Sequence, residues 1–340
     1  MAGAFWRGRR VLLTGHTGFK GAWLALWLHA LGAEVTGFAG PPGRLCELAR
    51  AGDLLDDVRG DLRDGAAVRE AVARARPEVV LHLGAQAIVR RSLEDPVGTY
   101  ETNVTGTANL LAAVRDAAPD AAVVVVTSDK CFANDGSGRA FREDDPIGGR
   151  DPYSSSKAAQ ELVAASFRDS YGLAIATARA GNVIGGGDWA PDRIVPDLVR
   201  AAAAGRPLVV RNAGAVRPWQ HVLNPLDGYL RLAERLYESP AEWARAWNFG
   251  PHADDERPVG WLVERLRERW PEPVELELAP GGDTIEASVL RLDSTLARER
   301  LGWAPRWDLE RGVAETAAWY RDVAAGKDPR AVTLAQIDAF

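Results

Sequence analysis

The sequence predicts an α/β fold: a doubly wound parallel sheet with helices on both faces and a smaller region appended after about residue 183. Three observations predict it. Short apolar runs alternate with helical stretches up to about residue 180, which is the rhythm of βαβ units. The first run passes through a glycine-rich turn directly into a helix. The distinctive residues Gly15, Gly84, Ala85 and Ser128 all fall just past the ends of such runs, where parallel sheets bind ligands.

The first run is Arg10 to Thr14 (RVLLT), followed by Gly15 to Gly21 (GHTGFKG) and a helical stretch from Ala22 to Leu31. This strand–turn–helix context gives a glycine motif its meaning as a dinucleotide site. Gly15 permits the tight turn, Gly18 lets the backbone approach a pyrophosphate, and Gly21 lets helix and strand pack closely. Phosphates would lie at the helix N-terminus, beside Thr17 and Phe19. The spacing is G-x-x-G-x-x-G. His16, inside the loop, takes no role from the sequence.

The second strand, Glu34 to Phe38, ends in Gly37-Phe38-Ala39-Gly40, without the carboxylate that would hold the adenosine ribose of NAD. Arg44 follows, which leaves NADP open, although NAD is favoured. Asp61, after the weak run Asp57 to Gly60, is a candidate for the adenine with Leu62 covering the ring; it is equally a helix N-cap. Ala66 to Arg76 and Pro96 to Ala117 read as helices. Val79 to Leu83 and Ala122 to Thr127 are buried strands, and Ile175 to Arg179 another. Leu83, Gly84 and Ala85 therefore face the cofactor, and Gln86 next to them is a substrate candidate. His82 reads as a satisfied core histidine.

Tyr153 and Lys157 lie on the helix predicted from Tyr153 to Tyr171. Four residues apart is one turn, so a phenol and an ammonium share a face. A nearby cation lowers a phenol's pKa and equips it to take a proton from an alcohol. Ser128, at a strand end, adds a hydroxyl for the same oxygen. A tyrosine over a lysine stem is also an ordinary surface arrangement; the upstream nucleotide site turns the reading toward catalysis.

Past residue 183 the rhythm changes. Gly185 to Trp189 (GGGDW) is a loop, Arg193 to Ala204 a helix, Leu208 to Arg211 a short strand and Pro258 to Trp270 another helix. Residues 1–182 with about 221–250 form the expected nucleotide domain, and 183–220 with 251–340 the expected substrate region.

Composition narrows the function classes. The chain has 340 residues, 46% apolar and 26% charged, typical of a globular protein. A net charge of −6 with interspersed signs offers no stripe for nucleic acid. No apolar run approaches ~20 residues, so no membrane span is expected, and the start is too short and interrupted for a signal peptide. Two cysteines, Cys46 and Cys131, make no disulfide framework, which points to the cytoplasm. Five scattered histidines argue against a metal site, and the twelve tryptophans read as core or interface anchors.

The glycine motif, Ser128, Tyr153 and Lys157 together resemble the extended short-chain dehydrogenase/reductase superfamily, with its Rossmann sheet. VLLTGHTGFKG from Val11, TSDKC from Thr127, AGNVIGGGDW from Ala180, RPWQHV from Arg217 and WNFGP from Trp247 resemble, in order, the CDP-glucose 4,6-dehydratase family. The resemblance implies NAD as cofactor, CDP-glucose as substrate, CDP-4-dehydro-6-deoxyglucose as product and homodimers packed through two helices per subunit. It implies that Tyr153 takes the 4-hydroxyl proton and Lys157 holds the nicotinamide ribose. Ser128 then bonds the 4-oxygen, and Asp129 donates a proton to the leaving 6-hydroxyl. Dehydratases of dTDP-glucose carry Asp-Glu where this chain has Asp129-Lys130. Lys130 is then either a neutral base at C5 or a partner of the enolate. Arg193, Arg217 and Asn182 are candidates for the pyrophosphate and sugar. A 4-epimerase or reductase of the same superfamily would share the tyrosine, lysine and serine without needing Asp129.

Overall fold

A computed structural model describes residues 2–279 and 287–340. Its centre is a seven-stranded sheet in which every pairing is parallel. The strands are β1 (Arg10–Thr14), β2 (Glu34–Ala39), β3 (Asp56–Arg59), β4 (Val79–His82), β5 (Ala122–Val126), β6 (Ile175–Arg179) and β7 (Ala246–Asn248). Their spatial order is β7-β6-β5-β4-β1-β2-β3. The chain winds outward from β1 through β2 to β3, then returns to β4 on the other flank. The switch point thus lies between β1 and β4, where a crevice opens beyond the strand ends.

The central strands β4 and β5 are buried along their whole length because both faces are covered, whereas the edge strand β3 (DDVR) is not. Alternate residues still go to opposite sides. Leu12, Val80, Val123, Val125 and Ile175 join one core. Val11, Leu13, Leu81, Val124 and Ala176 join the other. Helices Gly65–Ala75, Gly106–Ala117 and Pro152–Tyr171 cover the first face. Phe19–Ala30 and Leu223–Glu238 cover the second. The segment from about 221 to 250 thus supplies a covering helix and the edge strand β7, which pairs with β6.

Helix Pro152–Tyr171 has clear ends. Asp151 accepts a bond from the Ser154 amide at 2.9 Å, Pro152 occupies the first turn, and Gly172 closes the helix in the left-handed region at φ 68°. The expected single helix from Pro96 to Ala117 is instead Pro96–Tyr100 and Gly106–Ala117, joined by a π-helical turn over Glu101–Thr105. The turn aims Asn103 inward, where its amide bonds Ser156 and both backbone groups of Gln86, a pull that periodicity does not register. The helix from Arg193 begins at Ile194, and the one from Pro258 spans Val259–Arg267.

Short strand pairs build the region after β6: Val183–Ile184 with Gln220–His221, Val216–Pro218 with Glu256–Pro258, and Leu208–Val210 with Leu276–Leu278. Tryptophans fasten this region to the sheet domain. Trp23 donates to the Gly186 carbonyl at 2.9 Å, and a Cβ on Gly186 would lie 2.0 Å from the Trp319 ring. Trp6, Trp23, Trp247, Trp303 and Trp319 are fully buried. Among the described residues no helix is long and apolar enough to cross a membrane.

Candidate functional site

At the switch point the two loops meet backbone to backbone, at glycines. Gly15, at φ 74°, faces Gly84, and a Cβ on Gly15 would meet the Gly84 amide nitrogen at 2.7 Å. A Cβ on Gly21 would stand 2.0 Å from the Gly15 carbonyl oxygen, so helix and loop can pack only around glycine. At Gly18 the nearest atom to such a Cβ is 3.5 Å away, which leaves that backbone open to a phosphate at the helix N-terminus. Thr14 ties the two loops together: its hydroxyl accepts from the Gly84 amide at 3.1 Å, and its carbonyl from the Leu83 amide at 3.2 Å. This cradle fits a dinucleotide pyrophosphate.

The adenosine end differs from expectation. Arg44 is not at the end of β2; its guanidinium lies 3.9 Å from the Trp189 ring centroid. Asp61 is half exposed and bonds the side chain and amide of Arg63. The N-cap of the following helix is Asp64, which accepts from the Ala66 and Ala67 amides at 2.9 and 3.1 Å. Leu62 packs against Gly84 and Gly106. His16 has a structural role that the sequence did not reveal. Its Nε2 bonds Asp57 at 2.9 Å, and its ring fills the space a Cβ on Gly37 would take. Burial lowers its pKa against the pull of Asp57.

Next to the crevice is a cavity of about 330 Å³, bounded by Phe19, Ser128, Asp129, Lys130, Tyr153, Asn182, Arg193 and Arg217. Every expected catalytic residue except Lys157 lines it. Ser128 stands at its centre. Its hydroxyl donates to Asp129 Oδ1 at 3.0 Å and accepts from the Lys130 amide at 3.2 Å, and Tyr153 lines the same cavity. The Tyr153 amide is fixed by Ser92 at 3.1 Å.

Asp129 is buried, and its Oδ2 has no hydrogen-bond partner among the described residues. That oxygen lies against Gly181, where a Cβ would come within 2.0 Å of it. Burial raises the Asp129 pKa; Lys130, the Ser128 bond, Arg217 and Lys20 oppose the rise. A carboxyl in this setting is held toward its protonated, proton-donating form.

Burial also pushes the Tyr153 phenol up to about 12, with Ser128 and Arg193 pulling it down. The cation acting on the phenol in this structure is therefore Arg193, whereas Lys157 donates from Nζ to the Val126 carbonyl at 3.3 Å. Lys157 is brought down to about 7 by burial and by Lys20, against the pull of Cys131 and Glu161.

Of the substrate candidates, Asn182 lines the cavity with φ 20° and a buried Oδ1 that has no partner among the described residues. That oxygen is free to accept from a hydroxyl. Arg217 is buried, donating to the Val216 carbonyl at 2.9 Å, and Arg193 pairs with Asp188 at 2.9 Å. Gln86 is engaged within its own loop. Its amide is consumed by the Ile88 backbone and the Thr99 hydroxyl, bonds formed because the chain folds back on itself after β4, and it does not border the cavity. His82 is the satisfied core histidine expected, bonded to Thr14 and Thr107 at 2.6 and 2.9 Å and kept neutral by burial, with a pKa of about 3.

Two cavity residues escaped the sequence reading. Lys20 lines the cavity and is lowered to about 8 by burial and Arg193, against Asp129 and Asp188. A lysine inside the glycine loop, at a helix start that favours anions, was the available signal. Asp188 was visible only as part of a loop; Tyr320 fixes its carbonyl at 2.5 Å from a helix far along the chain.

The fold and this cavity define a nucleotide-dependent enzyme acting on an alcohol, and the comparisons agree. The model of the NAD dependent epimerase/dehydratase family matches residues 11–250, and the chain belongs to that family. It is 44% identical over 336 residues to a CDP-glucose 4,6-dehydratase of Salmonella typhimurium, covering 95% of this chain and 94% of that one. It is 30% identical to a dTDP-glucose 4,6-dehydratase of Xanthomonas campestris, covering 91% and 92%. A solved double mutant of a Streptomyces venezuelae dTDP-glucose 4,6-dehydratase with NAD bound is 25% identical, with a TM-score of 0.80 over 94% of this chain and 99% of that one. A Thermus thermophilus UDP-glucose 4-epimerase in complex with NAD is 26% identical, with a TM-score of 0.78 over 92% and 99%.

The lowered pKa of Lys157 sets a stability test. Between about 7 and the unfolded value of 10.5, the unfolded chain binds a proton that the folded chain does not. Stability therefore rises with pH through that window, and the cost of burying the ammonium is fully present below it. Lys157→Met should raise the cofactor-free melting temperature most near pH 6, with the gain shrinking toward pH 10. Thermal melts across that range measure it; a variant less stable than wild type at pH 6 contradicts the assignment.

Proposed function

We propose that the protein converts CDP-glucose to CDP-4-dehydro-6-deoxyglucose with NAD as cofactor, losing one water and with no net oxidation. The observation that carries this reading is the buried carboxyl of Asp129, held toward its protonated form, bonded by Ser128 and sharing one cavity with Tyr153. An enzyme that only oxidises and re-reduces C4 has no use for a proton donor there. A dehydratase needs one, because hydroxide is a poor leaving group and must depart as water.

In this reading Tyr153 takes the proton from the sugar 4-hydroxyl, and Ser128 bonds the 4-oxygen as charge develops on it. NAD supplies the acceptor for the C4 hydride and its later donor to C6. The C4 ketone acidifies the C5 hydrogen. Asp129 delivers its proton to the 6-hydroxyl, and Lys130, next to it, is the group we place at C5. Arg193 and Arg217 hold the substrate pyrophosphate, whose planar guanidinium partners suit phosphate oxygens. Asn182 accepts from a substrate hydroxyl through its buried Oδ1. Gly15, Thr17, Gly18, Phe19, Gly21, Leu83, Gly84 and Ala85 hold the cofactor, with Lys157 on its nicotinamide ribose. Residues 1–182 and about 221–250 form the NAD domain, and 183–220 with 251–340 the substrate region. Incubation with CDP-glucose in deuterium oxide tests the reaction by product mass and NMR. The expected product lacks one water and carries solvent deuterium at C5; an isomer of unchanged mass identifies an epimerase and sinks this reading.

The protein is, we propose, a homodimer. Leu93, Val97, Tyr100 and Leu162 stand exposed on helices Val89–Glu94, Pro96–Tyr100 and Pro152–Tyr171. Such clustering of large apolar side chains marks an association surface. Leu162→Asp should shift the sedimentation coefficient from dimer to monomer; an unchanged dimer places the interface elsewhere.

A further inference from the structure

Two turns beyond Tyr153 and one beyond Lys157, on the same face of helix Pro152–Tyr171, stands Glu161, buried and outside the cavity. Both carboxylate oxygens are fully engaged. Oε1 accepts from the Thr127 hydroxyl and from Arg179 Nε at 3.0 Å. Oε2 accepts from the Thr177 hydroxyl at 2.6 Å and from Arg179 Nη2 at 2.9 Å. Arg179 is equally fixed, its Nη1 donating to the Glu143 carbonyl at 2.9 Å and its guanidinium lying 4.8 Å from the Phe132 ring centroid. The carboxylate thereby ties the helix that carries Tyr153 to the ends of β5 and β6. Thr127 immediately precedes Ser128.

A buried ion pair is weak evidence for stability, since apolar residues of similar volume often serve as well. Its placement here suggests another use. We propose that Glu161, locked by Arg179, is a positioning residue for the dehydration: it clamps Thr127, so aiming Ser128 and Asp129, and sets a negative charge one turn from Lys157. The inference rests on the roles proposed above for Ser128, Asp129 and Lys157.

The groups facing Lys157 show why that charge matters. Lys20 approaches from the glycine-loop helix, neutral His82 from β4, and Cys131 from the turn after Asp129. Burial and Lys20 favour the neutral amine; Glu161 and Cys131 oppose them. The Cys131 thiol is held neutral by its own burial, its pKa well above the ordinary value. The formal negative charge among these neighbours is therefore that of Glu161.

The test is the double variant Glu161→Gln/Arg179→Met. It removes both charges and, with Arg179 gone, the lock that holds residue 161 against the two threonines. With CDP-glucose, kcat should fall about 10²-fold, the scale of an ångström-sized misplacement. KM should stay within about threefold, and the alkaline limb of the kcat–pH profile should move to lower pH as Lys157 loses its counter-charge. Wild-type kcat and an unmoved limb in a folded variant overturn the proposal, as does a lower melting temperature with both unchanged. If the double variant fails to fold, Thr127→Val cuts only the tie to the strand end: a lower kcat with an unmoved limb supports the clamp, and wild-type kcat overturns it. Failure of the parent reading is distinguishable, because wild-type protein would then form no dehydrated product.

Discussion

A carboxyl group has been taken out of water at the end of the fifth strand, and much of the site is arranged around it. Asp129 can be buried there only because Gly181 offers no side chain and Ser128 supplies one hydrogen bond. The remaining oxygen has no partner among the described residues, and burial disfavours its ionisation. Burying an ionisable group ordinarily costs stability; here the cost keeps a proton on an acid at pH values where a solvated aspartate has lost its own. Lys130, Arg217 and Lys20 pull in the opposite direction, so the acid lies in a balance that a bound substrate can tip.

The nucleotide crevice obeys a constraint of a different kind. Gly15 against Gly84 and Gly21 against the Gly15 carbonyl are contacts between backbones, and no side chain fits at either place. The same economy recurs after β6, where the loop Gly185 to Trp189 is squeezed between Trp23, Leu45 and Trp319. That loop carries Asp188, the partner of Arg193, so residues far apart in the chain set where the Arg193 guanidinium stands.

Strands and glycine turns were legible because they are local. Ile175–Arg179 is found with the limits its apolar run implies, and the helix after the glycine loop begins within a turn of its expected start. The cavity's membership was legible to the extent that motifs carried it: Ser128, Asp129, Lys130 and Tyr153 do meet there. What stayed hidden depends on tertiary partners. Gln86 looks available in sequence, and only the fold shows its amide spent on Ile88 and Thr99. Arg44 looks placed for a ribose phosphate until Trp189 is seen beneath it. Glu161 reads as one more helix charge, since its partners Thr127, Thr177 and Arg179 lie on two other elements. The one-turn spacing of Tyr153 and Lys157 predicted a direct partnership, but burial outweighs it and Lys157 bonds the Val126 carbonyl.

The most direct measurement is turnover of CDP-glucose by Asp129→Asn, followed by product mass. Asparagine keeps the shape and the acceptor for Ser128 but has no proton to give. The account predicts correctly folded protein that binds substrate while forming dehydrated product about 10²- to 10⁴-fold more slowly, the range for losing a general acid. Dehydration at the wild-type rate would contradict it.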